Sequence, residues 1–442
     1  MIDWGALGRE TVDLLREYLT LDTTNPPGNE AIGVGFLQAA LRRDGIASET
    51  AESAPGRGNL VARLRGDGSL GGIVLHHHVD VVYADRRYWT VDPFGGEIRD
   101  GFLYGRGALD MKSIGVIQLA AVLALKRAGV PLKRDVILLA TADEEAGSRF
   151  GAQFVADRHR QWLAGAEYAL SEMGGIYPES DHKAPFASIV TAEKTGLPLH
   201  LTARGEPGHG SMPWVDTAPN RLIRALSRLL EAERPLRVLP EVQEYFARLG
   251  SVLAAGAGHG YDDLARSLRD GDFRRAFLAR RQQAAMLRTT FAVTMLKGSE
   301  KRNVIPPEAV AEIDCRMLRG DDPEEIVAWV RGVIADDHVE VSVAGTPKVP
   351  NASPPDTELY KALVGALQRR APGVVVAPDI LVGFTDNWVF RNCGLHGYGW
   401  SPFILGEDEW RRVHGNDERI SLENLREGVR VQTELLLEMA AA

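Results

Sequence analysis

The sequence predicts an α/β layered protein, and three observations carry that prediction. Short apolar runs, Ile73–Leu75 and Val136–Ala140, have the length and bounding residues of buried strands. Helical stretches separate them, the longest over 111–128, and such alternation builds a layered sheet. Imidazole and carboxylate groups gather where these strands end: His78 and Asp80 after the first, Asp143, Glu144 and Glu145 after the second. Ligands of open α/β sheets collect outside the carboxyl ends of strands.

In chain order, residues 7–19 form an amphipathic helix through Leu7, Val12, Leu15 and Leu19. Asn25-Pro26-Pro27-Gly28 breaks it into a loop, and a second helix spans 31–44. Strands follow at 60–64 and 73–76, then the long helix, the strand at 136–140 and a short strand at 168–172. A strand at 197–203 leads to the glycine-rich turn Gly205–Pro213 and a helix over 217–231. Residues 235–290 are rich in Arg, Ala and Leu and read as helical. Strands at 291–296 and 338–343, a helix at 355–370 and one from 422 complete the chain.

Composition sets the class. The 442 residues suffice for two or three domains. A hydrophobic fraction of 45% and a charged fraction of 25% describe an ordinary globular protein. With 51 basic and 60 acidic side chains, the net charge of −9 disfavours nucleic acid as a partner. Only Cys315 and Cys393 are present, which excludes a disulfide framework and fits a reducing compartment. No apolar run reaches the roughly 18 residues of a membrane span. The N-terminus has no basic and apolar signal pattern, so the expected location is cytoplasmic, with no membrane partner.

The chemistry-bearing clusters point to a metal. Strand alternation puts His78 and Asp80 on one side, where an imidazole can bind an ion and a carboxylate can orient the ring. The Gly105-Arg106-Gly107 turn delivers Asp110 just before a helix. Three adjacent carboxylates at a strand end repel one another and need a cation or solvent. Neither a His-Glu-x-x-His helix, nor a Gly-x-Ser-x-Gly elbow, nor a P-loop occurs.

These motifs resemble the M20 metallopeptidases and amidohydrolases, the group of aminoacylase, acetylornithine deacetylase, succinyl-diaminopimelate desuccinylase and glutamate carboxypeptidase. The matching stretches are His78-Val79-Asp80, Asp92-Pro93-Phe94, Tyr104–Lys112 and Asp143-Glu144-Glu145 with Gly147-Ser148. Others are Gly383-Phe384-Thr385-Asp386, Tyr398-Gly399-Trp400-Ser401-Pro402 and Val413-His414-Gly415-Asn416-Asp417-Glu418-Arg419. The resemblance covers nearly the whole chain.

It implies a zinc-peptidase-like catalytic domain with a mixed central sheet, formed by 1–193 and 349–442. An inserted α+β lid or dimerisation domain, 194–348, would make a homodimer. It implies two divalent ions, zinc first, with cobalt or manganese also suited. His78, Glu172 and a bridging Asp110 would hold one ion; His414, Glu145 and the same Asp110 the other. Two divalent ions, three carboxylates and one bridging hydroxide leave a neutral centre. Glu144 would be the general base acting on that water, and Asp80 would orient His78. In the lid, His209 would reach the partner's active site and stabilise the oxyanion. Asn303 would contact the substrate, Arg316 would fork onto its carboxylate, and Thr385, beside the site, would be a further substrate contact. The implied reaction is hydrolysis of an amide next to a free carboxylate, by an N-acyl amino acid deacylase or a dipeptidase or carboxypeptidase. Hydrolysis of another C–N bond and a non-catalytic metal-binding role are the alternatives.

Two departures bear on the ligand set. His77 stands where the resemblance expects Gly, and Tyr83 where it expects Pro. The run His76-His77-His78 therefore offers a choice of imidazoles. The spacing to Asp80 favours His78; His76 lies deeper on the same face, and His77 points away and is expected to pack. Tyr83 is expected at the pocket mouth.

Overall fold

The computed structural model describes residues 2–178, 184–254 and 256–442. Among the strands of four or more residues, six come first in the chain: β1 (Ser48–Glu52), β2 (Gly58–Leu64), β3 (Gly72–His78), β4 (Val136–Thr141), β5 (Ala166–Ser171) and β6 (Phe186–Glu193). Four follow: β7 (Leu199–Arg204), β8 (Thr290–Lys297), β9 (Glu308–Met317) and β10 (Val339–Val343). The last two are β11 (Val375–Leu381) and β12 (His396–Gly399).

The strands segregate into two main sheets. One has the order β1-β2-β4-β3-β5-β12-β6-β11 and is mixed. At its centre β4, β3 and β5 run parallel, so their carboxyl ends open on one side. β3 and β4 are buried along their whole length, as their unbroken apolar runs require. The helix Lys112–Ala128 packs beside them, buried over most of its surface, and ends at Gly129 in the left-handed conformation. The helices Trp4–Leu19 and Leu422–Ala440, capped by the side chains of Asp3 and Ser421, pack with it in the main core.

The second sheet is antiparallel and built from Thr195–Gly196, β7, β8, β9 and β10. β9 alternates buried and half-buried positions, the pattern of a sheet covered more fully on one face. The helices Ala218–Glu231 and Pro323–Ile334 cover that face with Leu222, Leu229, Ile326 and Val330. The chain leaves the first sheet at Glu193, enters the second at Thr195 and returns after Val343.

The sequence reading omitted β1, β6, β9, β11 and β12. In β11 the run of valines is interrupted by Pro378, which is tolerated because β11 is an edge strand. The region 235–290 is helical as expected. Pro240–Val252 lies against β11, and Arg248 donates to the carbonyl of Val376 at 2.6 Å. Val242, Phe246, Leu264 and Phe277 share one apolar cluster with Ala192 and Ile380 of the large sheet. Aromatic edge contacts among Phe246, Tyr261 and Phe277 hold the insert together, and Leu318, just after β9, joins the same cluster, so the insert bridges the two sheets. No helix among the described residues is long and apolar enough to cross a membrane.

Candidate active site

Three parallel strands deliver the site. His78 ends β3, the turn Asp143–Ala146 follows β4, and Glu172 follows β5. His78 Nδ1 lies 2.9 Å from the backbone carbonyl of Asp80. A carbonyl only accepts, so Nδ1 donates to it and Nε2 is the ring nitrogen that faces inward. Nε2 faces Asp110 Oδ1 at 3.0 Å and Glu172 Oε1 at 3.8 Å. On the other side of Asp110, His414 Nε2 lies 3.0 Å from Oδ2 and 3.2 Å from Glu145.

Two groups of donor atoms result: His78, Asp110 and Glu172, and Asp110, Glu145 and His414, each within 4.8 Å. Asp110 belongs to both. Nitrogen and carboxylate donors in triplets with one shared carboxylate suit a pair of borderline divalent ions. The electrostatics agree. Burial and the charge of Asp110 push Glu172 up to about 8. Burial and the charge of Glu172 raise Glu144 well above the ordinary carboxylate range. His414 is pushed up to about 10 by Asp110 and Glu145, although it is half exposed. Burial disfavours charge on His78, yet Asp110, Asp80 and Glu172 outweigh it and raise its pKa. The carboxylates thus lack sufficient positive charge, which cations would supply.

Asp80 does more than the sequence suggested and in a different way. Its carboxylate is 3.6 Å from His78 Nδ1, beyond hydrogen-bond range, and the ring is oriented by its backbone carbonyl instead. The carboxylate accepts the backbone N–H groups of Glu144 and Glu145, both at 3.2 Å, and Asn25 Nδ2 at 2.8 Å. It therefore positions the turn that carries both glutamates. Asp143 adopts φ 70°, held there by Arg57, Asn25 and the N–H of Phe150. Arg57 also forks onto the buried Glu30. Glu144 is 8% exposed, and no side chain hydrogen-bonds its carboxylate among the described residues.

The three adjacent histidines separate cleanly. Both ring nitrogens of His76 are engaged, by Ser171 at 2.9 Å and by Thr141 at 2.8 Å with Asp386 at 3.2 Å. His77 is buried on the opposite face, where burial pushes its pKa down to about 3 and keeps it neutral. A Cβ at Gly115 would lie 2.4 Å from that ring, so the imidazole fits because the facing helix has glycine there. Tyr83 is exposed.

The lid residues are distributed differently. Gly208–His209 pairs with Val304–Ile305 in a short ribbon, and Gly210 N–H donates to Asn303 O at 2.9 Å. His209 and Asn303 are thus neighbours, both exposed. His209 Nδ1 shares a 2.7 Å hydrogen bond with Ser211. Arg316, paired with Asp314 at 2.8 Å, also stands over the Phe384 ring at 5.4 Å, so it faces the Gly383–Asp386 turn. Thr385 departs from the substrate-contact reading: it is 2% exposed, and its hydroxyl and N–H both donate to Glu193. It braces the turn from behind.

Sequence reasoning gave Glu418 no role, although it lies in the same motif as His414. This buried carboxylate accepts the N–H groups of Leu109 at 2.7 Å and Asp110 at 3.0 Å, and pairs with the buried Arg106 at 2.6 Å. An invariable signal was absent; only its place four residues after His414 and an otherwise unpaired Arg106 could have suggested it.

Peptidase family M20/M25/M40 matches residues 74–438. The chain belongs to that family. It is 33% identical over 373 residues to the N-fatty-acyl-amino acid synthase/hydrolase PM20D1 of Xenopus tropicalis, covering 81% of this chain and 70% of that protein. It is 27% identical over 445 residues to aminoacylase-1 of Homo sapiens, covering 98% and 95%. Among solved structures, the M20 metallo-carboxypeptidase Sso-CP2 of Sulfolobus solfataricus superposes with TM-score 0.75 at 18% identity, covering 97% of this chain and 98% of that one. The fold is accordingly that of the M20 peptidases, and the M20 chain described here is a hydrolase.

Proposed function

We propose that this M20 hydrolase cleaves an amide bond next to a free carboxylate, in N-acyl amino acids or short peptides. The observation that carries the reading is Asp110 shared between two donor triplets, with Glu144 one residue from a donor but outside both. His78, Asp110 and Glu172 would hold one divalent ion and Asp110, Glu145 and His414 a second, with zinc the metal best suited to these donors. Bound there, such ions polarise a carbonyl and lower the pKa of water.

The chain's own groups supply the rest. Glu144, held by the Asp80 contact to its N–H, takes the proton from the attacking water and delivers it to the leaving nitrogen. Its burial raises its proton affinity, which suits a carrier that must bind the proton and then release it. Arg316 binds the substrate carboxylate at the Phe384 side, and Asn303 positions the substrate. His209 acts from a second subunit, in a homodimer formed through the lid, on the oxyanion. The free Cys315 and Cys393 accord with a reducing, cytoplasmic setting.

The deciding experiment is a hydrolysis screen of N-acyl amino acids and dipeptides with protein loaded with zinc, cobalt or manganese. Hydrolysis of at least one class, abolished by chelation, is expected; chelator-resistant or absent hydrolysis would overturn the reading.

A further inference from the structure

The carboxylate side of the substrate leads toward Arg316, which leaves the acyl side to be placed. A narrow cavity of about 30 Å³ adjoins Asp110 and Glu172. Its walls include Ile114, Met173, Phe403, Leu405, Trp410 and Val413. Two of these are chain neighbours of donor residues: Met173 follows Glu172 and Val413 precedes His414. A carbonyl seated between the donor triplets therefore has this cavity at hand for its acyl substituent.

The chemistry and size of the walls are selective. No lysine or arginine lines the cavity, and its acidic members are Asp110 and Glu172. An acyl group with its own carboxylate would meet like charge there and no counter-charge. An apolar group would meet a thioether, two aromatic rings and aliphatic side chains. The volume is about the share of liquid occupied by a single water, roughly 30 Å³.

Two walls are fixed. The ring of Trp410 stacks on Tyr177 with centroids 5.8 Å apart. Phe403 is seated on Gly428, where an added Cβ would lie 2.6 Å from the ring. Met173 is the adaptable wall, unbranched and polarisable.

We propose that this cavity is the acyl subsite and that, holding little more than a methyl group, it selects acetyl over longer or acidic acyl groups. The assignment rests on the N-acyl amino acid reading of the same site. It makes Met173 the residue that sets the upper limit of chain length.

The test is a kcat/KM series on one amino acid carrying acetyl, butanoyl, succinyl, hexanoyl or dodecanoyl groups. A parallel calorimetric series measures binding of the same compounds to the Glu144→Gln protein. The expected profile falls at least about tenfold between acetyl and butanoyl, the scale on which a pocket rejects added methylenes. Met173→Ala should move that limit outward and raise butanoyl relative to acetyl about tenfold; Val413→Ala, a milder change, should move it in the same direction. Dodecanoyl or succinyl compounds favoured over acetyl in the wild type, or a profile unmoved in both variants, overturns the assignment. If every chain length is bound and hydrolysed alike, the proposed function stands and the subsite alone falls. If none is bound or hydrolysed, both fall.

Discussion

Glu418 holds the backbone of Asp110: its Oε1 accepts the Asp110 N–H at 3.0 Å while its Oε2 pairs with Arg106 at 2.6 Å. The shared donor of the two triplets is thus fixed by a residue 308 positions away in sequence.

Glu418→Ala should destabilise the protein by about 3–5 kcal/mol, because Arg106 would remain buried without its partner. Glu418→Gln keeps the shape and should show the finer effect, a loss of metal affinity of about 10- to 100-fold. Chemical unfolding and metal titration measure the two. Unchanged metal affinity in the Gln variant would show that Asp110 needs no such support.

Glu144→Gln should retain metal and substrate binding and lose about 10²- to 10⁴-fold in kcat. Glu145→Gln should lose metal, since Glu145 is a donor in one triplet. Metal content by mass spectrometry, alongside turnover, separates the two roles; the reverse pattern would exchange them.

Metal-free protein should lose stability as pH rises. His414 has a folded value of about 10 against an ordinary 6.5, so its stabilising contribution is full below about 6.5 and is lost as pH rises through about 10. Glu172 has a folded value of about 8 against 4.5. In that interval the folded state binds a proton that the unfolded state lacks, so stability again falls with rising pH. Metal binding requires deprotonated ligands and strengthens in the same direction. The melting temperatures of chelated and zinc-loaded protein should therefore diverge with rising pH; parallel curves would contradict the donor assignment.

Arg316→Ala should mainly raise KM, because the carboxylate is bound in ground and transition states alike. Amidated substrates should react poorly with the wild type and equally poorly with the variant. Equal rates for amides and free acids would remove Arg316 from this role.

His209→Ala should mainly lower kcat, by about 10²- to 10³-fold, since its partner charge exists only in the transition state. Subunits carrying His209→Ala, mixed with subunits carrying Glu144→Gln, should regain part of the activity, because each mixed dimer holds one site with both residues intact. Heterodimers that form and stay inactive would count against action across the interface.

The donor side chains were legible because each sits at a strand end or in a short motif with its neighbours: His78, Asp110, Glu145, Glu172 and His414 come together in the structure. The α/β class was legible from apolar runs whose burial matches their pattern. What was not legible is support at long range. Glu418 and the Arg57–Glu30–Asp143 network depend on contacts between distant segments, and no local periodicity reports those. Asp80 shows the limit within a motif: its nearness to His78 is visible in sequence, but its hydrogen bonds to the following strand's turn are not. Thr385 shows the same for burial, which a motif match does not convey.

The helical bridge over β11 has a consequence for self-association. An uncovered edge strand offers free N–H and C=O groups to any other chain, and a valine-rich edge does so with high β-propensity. β11, with Val375 and Val376, is such an edge, and the insert lies against it with Arg248 occupying one of its carbonyls. A chain with 240–286 excised would expose that strand to templated pairing between molecules, and its fate would be precipitation rather than a trimmed enzyme.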